Sequence, residues 1–188
     1  GLPSVAGLLP WASANDLTLA ALPDVVAAAT APVLATVCAN DALLPAARMV
    51  TEVAARGAAG VLNAPTVGLL TGPVRRALED AGLGFAREVE LIATARAHGL
   101  RAWGYAFTAR QARQLVAGGA EAVIVHLGLT GAGRPVARAA ATLAVVARAA
   151  RAADPDVRVL AHGGPLDCPA AFVRVRDDDT RCGFFGAS

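Results

Sequence analysis

The chain has 188 residues, a formal net charge of +2, and 55% hydrophobic but only 4% aromatic residues. This length suffices for one domain with a buried core, and the small charge gives no argument for a nucleic-acid or membrane partner. Every basic residue in the sequence is arginine, so none of these residues can form a Schiff base or act as a phosphate-loop lysine. A core of small aliphatic side chains favours helices packed on a parallel sheet.

Short apolar runs that end in polar residues or glycine predict six strands. In chain order these runs are residues 33–38, 60–63, 102–107, 122–128, 157–163 and 182–187. Helical patterns lie before and between these strands. Ser13 or Asn15 is placed to cap the first helix, and Thr108 is placed to cap a later one. Two further helices are predicted to start near Leu43 and near Pro135. Alternating strands and helices predict βα units and a parallel sheet.

The spacing of the predicted strands leaves two architectures open. Each βα unit takes roughly 30 residues, and a (β/α)8 barrel of eight units needs roughly 240. The chain therefore fits either a doubly wound open sheet of about six strands or a TIM barrel that is short of about two units. The sequence begins with a loop before a helix and ends after a strand. This favours the barrel: residues 1–188 are predicted to form one α/β barrel domain, with two strands and a last helix outside the sequence.

Small and polar residues follow the predicted strands, at the edge where parallel β/α domains bind ligands. They are Cys38, Asn63, Thr66, Gly128, Thr130, Gly163, Gly164, Gly186 and Ser188, with His126 and His162 at two of the strand ends. Glycines without Cβ atoms let a ligand oxygen approach backbone N–H groups. The corners at 163–164 and 186–188 therefore predict a phosphoryl-binding pocket, although tight turns that merely use glycine are the alternative.

The histidines are the best candidates for acid–base chemistry, since imidazole titrates near neutrality. A structural hydrogen-bonding role is the alternative for each of them. Cys38 could be a nucleophile or a small buried hydrophobic residue, and Asp41 could bind a metal or cap the helix that starts near Leu43. Few carboxylates follow the strands, so Mg²⁺ has little support and no metal ligand is assigned.

Six segments of the chain resemble one family, the phosphoenolpyruvate hydrolase-like TIM-barrel proteins. The matching segments are "AGLLPWASAN" (6–15), "VLATVCANDALL" (33–44), "GVLNAPTVGLLTGPVRRALEDAGLGFAREVELI" (60–92), "VIVHLGLTGAG" (123–133), "LAHGGPLDCP" (160–169) and "GFFGAS" (183–188). Bacterial members are labelled phosphonopyruvate or phosphoenolpyruvate hydrolases, and a related barrel domain forms part of a plant protein that confers tobamovirus resistance.

The resemblance implies a (β/α)8 barrel and carries site roles onto matching positions. They fall on Cys38, Asp41, Asn63, Pro65, Thr66, Glu88, Glu90, His126, Gly128, Thr130, His162, Gly163, Gly164, Gly186 and Ser188. The chain departs from the family at Thr130-Gly131-Ala132-Gly133, where a Thr-Thr-Gly-Gly run is usual, and at Ala64, where an aromatic residue is often found. These changes bear on the substrate more than on the fold.

Two classes of function follow, together with a weaker third. The first is a hydrolase or lyase that acts on a small phosphorylated or phosphonylated carboxylate at the carboxyl ends of the strands, with His126, His162, Cys38 and Glu90 as candidate catalytic residues. The second is a non-catalytic ATP-binding module in signalling or protein interaction. The third, a biosynthetic barrel resembling indole-glycerol-phosphate synthase, needs a catalytic lysine that this sequence lacks.

The sequence also bears on partners and location. The expected partner is a small anionic, phosphoryl-bearing ligand, and the alanine-rich helix over 136–153 predicts a homo-oligomer. Three cysteines without metal-type spacing or a signal peptide predict a reducing, cytoplasmic setting. Proline and glycine interrupt the longest uncharged windows, so no transmembrane helix is expected.

Overall fold

The computed structural model describes residues 12–130, 135–176 and 181–186. The strands are β1 (Leu34–Thr36), β2 (Gly60–Leu62), β3 (Arg101–Ala106), β4 (Ala122–His126), β5 (Arg158–His162) and β6 (Gly183–Phe184). The helices are α1 (Ala14–Ala28), α2 (Ala46–Ala55), α3 (Gly72–Asp80), α4 (Phe85–Ala97), α5 (Ala109–Ala117), α6 (Val136–Ala153) and α7 (Pro169–Val175), and residues 67–69 form a 3-10 turn. All six predicted strands are confirmed, whereas α7 was not predicted.

The strands form one parallel sheet in the order β1-β2-β3-β4-β5-β6. Each strand pairs with its successor in the chain, for example Leu34 with Gly60 and Leu160 with Gly183. A doubly wound sheet reverses its strand order at a switch point, and this sheet does not. The structure therefore confirms the α/β fold class, consistent with part of a TIM barrel, and sets aside the doubly wound alternative.

Two apolar layers cover the two faces of the sheet. The larger layer lies between sheet and helices and contains fully buried side chains such as Val123 and Val125 of β4, Ile92 of α4 and Leu143 of α6. Burying one such side chain stabilises the fold by about 1.5–3 kcal/mol. The smaller layer lies on the opposite, inner face and is built on Leu62, Tyr105 and Ile124.

Alternation along the strands fixes which side chains reach the inner face. Successive residues of a strand point to opposite faces, so Tyr105 in β3, Ile124 and His126 in β4, and Leu160 and His162 in β5 share that face. His126 and His162 are also register partners at the carboxyl ends of β4 and β5. The histidines are therefore held by strand geometry at the end of the sheet where parallel β/α folds bind ligands.

Helix starts agree with the sequence except at α2. The Ser13 and Thr108 side chains accept N–H bonds from Asp16 and Gln111, as expected of caps. The helix predicted near Leu43 instead begins at Ala46, because the chain turns first. Asp41 accepts the Leu43 N–H at 2.9 Å within this turn. Within the described ranges, none of the helices has the length and apolarity that a bilayer crossing requires.

Candidate functional site

Two buried histidines and a tyrosine form the centre of the candidate site. The ring centroids of His126 and His162 are 5.1 Å apart, with an interplanar angle of 76°. The Tyr105 ring lies 5.4 Å from the first and 5.5 Å from the second. Both histidines are almost completely buried, with exposures of 2% and 5%. Three adjacent strands thus bring three polar rings together in one layer.

Backbone hydrogen bonds give the two histidines opposite tautomers. His126 Nδ1 accepts the Gly128 N–H at 3.2 Å, so a neutral ring carries its proton on Nε2. His162 Nδ1 lies 3.0 Å from the Phe185 carbonyl oxygen, which can only accept, so Nδ1 carries the proton and Nε2 has the lone pair. The two neutral rings therefore carry their protons at different positions, Nε2 in His126 and Nδ1 in His162.

Burial sets the protonation states at the centre of the site. It lowers the pKa of His162 below its usual 6.5, although the hydrogen bond to the Phe185 carbonyl opposes the shift. The ring is therefore neutral at neutral pH, as a general base must be. Burial also raises the pKa of Tyr105 to about 12, so its phenol keeps its proton.

A buried carboxyl group lies behind this centre. Glu88 of α4 accepts hydrogen bonds from the Asn63 side-chain amide, from the Thr66 hydroxyl at 2.7 Å and from the Val67 N–H at 2.8 Å. Asn63 in turn accepts the Tyr105 N–H at 2.6 Å. Glu88 thus fixes the segment that follows β2 and, through Asn63, holds the backbone of β3 at Tyr105.

Burial and hydrogen bonding act in opposite directions on Glu88. Removal from water is the larger effect and raises the pKa of this carboxyl to about 7, while the three donors lower it. Glu90, one of the four residues predicted to be catalytic, is exposed on α4. The structure therefore places Glu88, and not Glu90, in the network beside the candidate site.

Two cavities open beside His126, and its side chain lines both. The first, which we call the strand-end cavity, has a volume of about 330 Å³. Its polar lining comes from Thr18, Thr36, Thr66, Tyr105 and His126. The second, which we call the helix-side cavity, measures about 500 Å³ and lies against the start of α5. Its polar lining comes from Thr71, Arg75, Thr108, Gln111 and His126.

One N–H group of the predicted glycine corner is already engaged within the fold. Gly164 donates its N–H to the Gly128 carbonyl at 2.7 Å, so this group is not available to a phosphoryl oxygen. Gly163 and Gly164 both have positive φ, and a Cβ atom on Gly164 would lie 2.6 Å from the Leu127 carbonyl oxygen. These glycines let the loop after β4 pack against the end of β5.

The other predicted ligand contacts are spread around the site. Asn63 and Thr66 are buried in the Glu88 network, and Thr66 also lines the strand-end cavity. Gly128 lines the helix-side cavity, whereas Thr130 and Gly186 are exposed. Ser188 lies outside the described residues.

Cys38 lacks the environment of an activated thiol. Burial raises its pKa above the usual 9.0, and the charges of Asp41 and Glu88 act in the same direction. A nucleophilic cysteine needs a lowered pKa and positive surroundings, so the structure does not support the predicted nucleophile. Its backbone is held instead by the buried Asn15, which accepts the Cys38 N–H at 2.9 Å and donates to the Cys38 carbonyl.

Metal ligands do not gather at this site. Across the described part of the chain, no three His, Cys, Asp or Glu side chains lie close enough together to hold a metal ion. The Asp41 carboxylate is engaged by Asn15 at 3.0 Å and by the Leu43 N–H.

The sequence alone does not single out Tyr105, Arg75 or Gln111 as site residues. The alternation of aromatic residues in "AWGYAF" placed Tyr105 on the same face as Trp103 and Phe107, and could have identified it. Arg75 and Gln111 lie on helices, one turn or more from any strand end, and nothing in their local sequence distinguishes them.

Comparisons with known proteins agree with this architecture. The model of the family described as phosphoenolpyruvate hydrolase-like matches residues 1–188. Two proteins of Solanum lycopersicum are similar over the whole chain: the ToMV susceptible protein tm-1(GCR26), 39% identical over 198 residues, and the ToMV resistance protein Tm-1(GCR237), 38% identical over 198 residues. The chain spans only 26% of the length of either relative.

A solved structure supports the fold independently of close sequence similarity. The structure described as native KDPGal superposes with a TM-score of 0.54 at 18% identity, over 89% of this chain and 62% of that chain. At that identity the likeness concerns the fold alone.

Proposed function

This chain belongs to the phosphoenolpyruvate hydrolase-like family, and on that premise we propose that it forms the proton-transfer site of an enzyme that hydrolyses a small phosphorylated or phosphonylated carboxylate. The observation that carries the proposal is the histidine pair. His126 and His162 are buried side by side at the strand ends with opposite tautomers, and His126 lines a cavity of about 330 Å³. A general base and a hydrogen-bond donor are the groups that such a hydrolysis needs.

Phosphoenolpyruvate and phosphonopyruvate would share one route at this site. His162 Nε2 takes a proton from water, and the water oxygen forms a bond to phosphorus. The P–O bond of the first substrate or the P–C bond of the second then breaks, and its electron pair stays on the enolate of pyruvate. The His126 Nε2–H group stabilises the negative charge by hydrogen bonding without giving up its proton. Protonated His162 returns its proton to the enolate carbon, which yields pyruvate and phosphate and restores the neutral ring.

The remaining residues position these groups. Glu88 accepts a hydrogen bond from Asn63, and Asn63 accepts the Tyr105 N–H. Both residues therefore position Tyr105 and the segment after β2 and are not proposed to contact the substrate. Gly186 follows Phe185, whose carbonyl orients His162, and we propose Gly186 as a phosphoryl contact. Ser188 lies outside the described residues, and its phosphoryl contact is proposed from the sequence alone. Gly164 has no such role here, because its N–H is already bonded.

Phosphate release by the full-length protein tests the proposal. We expect turnover of phosphoenolpyruvate or phosphonopyruvate, and a fall in kcat of about 100-fold or more in His162→Gln, as is typical for loss of a general base. His98→Gln is the matched control. His98 is exposed and precedes the amino end of β3, whereas the candidate site lies at the carboxyl ends of the strands. Absence of turnover with both substrates, or equal activity of the two variants, would refute the proposal.

Calorimetry with ATP separates this proposal from the binding-module alternative. Binding of ATP without hydrolysis of either phosphorylated carboxylate would favour the module. Self-association through α6, whose Val145 is exposed, is a separate proposal that sedimentation of the protein tests.

A further inference from the structure

The helix-side cavity is lined by the mostly buried Gln111 side chain, whose amide donor has no partner among the described residues. Gln111 is only 8% exposed and lines this cavity. Its Oε1 atom accepts the Phe107 N–H at 2.9 Å and lies 3.2 Å from the Thr108 hydroxyl. Because a backbone N–H can only donate, this contact fixes which end of the amide is oxygen. Among the described residues, no acceptor is bonded to the Gln111 Nε2 atom. The buried side-chain polar atom without a partner in that part of the chain is Asn40 Oδ1, so Gln111 Nε2 is reached by solvent and is open to a ligand in the cavity.

Two other features favour an anion in the same cavity. The cavity lies against the first turn of α5, where Thr108 caps the helix and the helix dipole presents its positive end. Arg75 of α3 also lines it. No carboxylate belongs to the lining formed by the described residues, although the Arg75 guanidinium is paired with the Glu79 carboxylate outside this lining.

Arg75 is held in place and still has donors to offer. Its Nε atom donates to Glu79 at 2.6 Å, its Nη2 atom lies 2.5 Å from the same carboxylate oxygen, and Nη1 donates to the Val67 carbonyl at 2.8 Å. A guanidinium carries five N–H groups, so each terminal nitrogen keeps one that these contacts do not use. Glu79 and Val67 therefore orient the group without saturating it.

We propose that the helix-side cavity binds one oxyanion of the substrate, a carboxylate or a phosphoryl group, through the Gln111 amide and the Arg75 guanidinium. His126 lines this cavity and also faces its partner His162, so an anion bound here lies next to the proton-transfer pair. The inference rests on the proposed function for the identity of the substrate. Its binding site is distinct from the corner after β6.

Calorimetric titration of the full-length protein tests the assignment. The probes are phosphoenolpyruvate, pyruvate, which carries only the carboxylate, and inorganic phosphate, which carries only the phosphoryl oxygens. Gln111→Glu keeps an acceptor for the Phe107 N–H but replaces the donor with a negative charge. Arg75→Gln removes the cation. For each variant we expect the affinity for phosphoenolpyruvate to fall about tenfold or more, the effect of losing one hydrogen bond to a charged group.

The matched controls carry the same changes of charge on the same helices. Gln114→Glu and Arg76→Gln lie outside the lining of the helix-side cavity, and we expect affinities within about twofold of the wild type. A loss of pyruvate binding in Gln111→Glu would assign the cavity to the carboxylate, and a loss of phosphate binding would assign it to the phosphoryl group. Equal losses in variants and controls, or no binding of any probe by the wild type, would overturn the inference.

A measurement on the wild-type protein covers the case in which a variant does not fold. The side-chain amide proton signals of Gln111, followed by NMR with labelled glutamine, should shift on titration with pyruvate or phosphate. Unchanged signals at saturation would contradict the assignment. Because these experiments measure binding and not turnover, they separate the two proposals. If binding requires Gln111 but no phosphate is released, only the proposed reaction is refuted. If turnover requires the histidines but Gln111→Glu binds phosphoenolpyruvate with the affinity of the wild type, only this inference is refuted.

Discussion

Replacing Glu88 with glutamine tests whether burial or hydrogen bonding controls the carboxyl group behind the site. Three donors from Asn63, Thr66 and Val67 converge on this carboxyl, which favours its charged form. Burial is the stronger effect and raises its pKa to about 7 from the usual 4.5. The carboxyl should therefore be mostly protonated in the native protein at pH 5 and mostly ionised at pH 8.

The sign and size of the effect on stability follow from this pKa. Between pH 4.5 and 7 the unfolded chain ionises Glu88 before the native protein does, so the native state binds more protons and its stability falls as the pH rises. The free energy of unfolding should drop by about 2.5 kcal/mol between pH 5 and pH 8 from this residue alone. Most of the loss is complete once the pH passes 7.

Urea unfolding of wild type and Glu88→Gln at pH 5, 6, 7 and 8 measures this contribution. Glutamine does not titrate, and its amide N–H₂ opposes one of the donors at a cost of about 1–3 kcal/mol at every pH. The wild type should therefore be the more stable protein at pH 5, and its advantage should shrink by about 2.5 kcal/mol by pH 8. Glu90→Gln, which alters an exposed carboxylate two residues away, serves as the control and should show no such change.

A constant difference between wild type and Glu88→Gln from pH 5 to pH 8 would refute the reasoning. It would mean that Glu88 is ionised in the native protein throughout this range and that its three hydrogen bonds outweigh burial.

Two further predictions concern Cys38 and Gly164. Thiol labelling of the native protein near neutral pH can be followed by peptide mass spectrometry. The exposed Cys168 should be modified at least about tenfold faster than Cys38, because burial raises the pKa of the Cys38 thiol. Equal labelling rates would count against this assignment. Gly164→Ala should lower the free energy of unfolding by about 2 kcal/mol or more, since its Cβ would meet the Leu127 carbonyl. Gly72 has a similar φ, and a Cβ added there would have no atom within 4 Å. Gly72→Ala should therefore lower the free energy of unfolding only by the backbone strain of about 1 kcal/mol. A decrease as large as that for Gly164→Ala would contradict the steric account.

The fold was predictable from local sequence. Apolar runs interrupted at regular spacing indicate strands, and the helical patterns between them require parallel pairing. The predicted runs 102–107 and 157–163 agree with β3 and β5 to within one residue at each end. That two more strands and a helix belong to the same barrel stays a prediction.

The histidine pair was predictable in part. His126 and His162 end neighbouring strands, and the period of two along a strand places them on the same face. Their opposite tautomers were not predictable, because the Phe185 carbonyl that orients His162 lies 23 residues further along the chain.

Strand positions, their parallel order and the family were thus determined by the sequence itself, since each depends on local periodicity or on matching residues. The tertiary structure alone decided that Glu88 turns inward while Glu90 faces solvent, because two residues on a helix point in different directions and only packing selects which one is buried. It also decided that Gly164 donates to a neighbouring loop and that the Gln111 side chain accepts the Phe107 N–H. A hydrogen bond between distant segments depends on where the fold brings them, and no spacing along the chain encodes it.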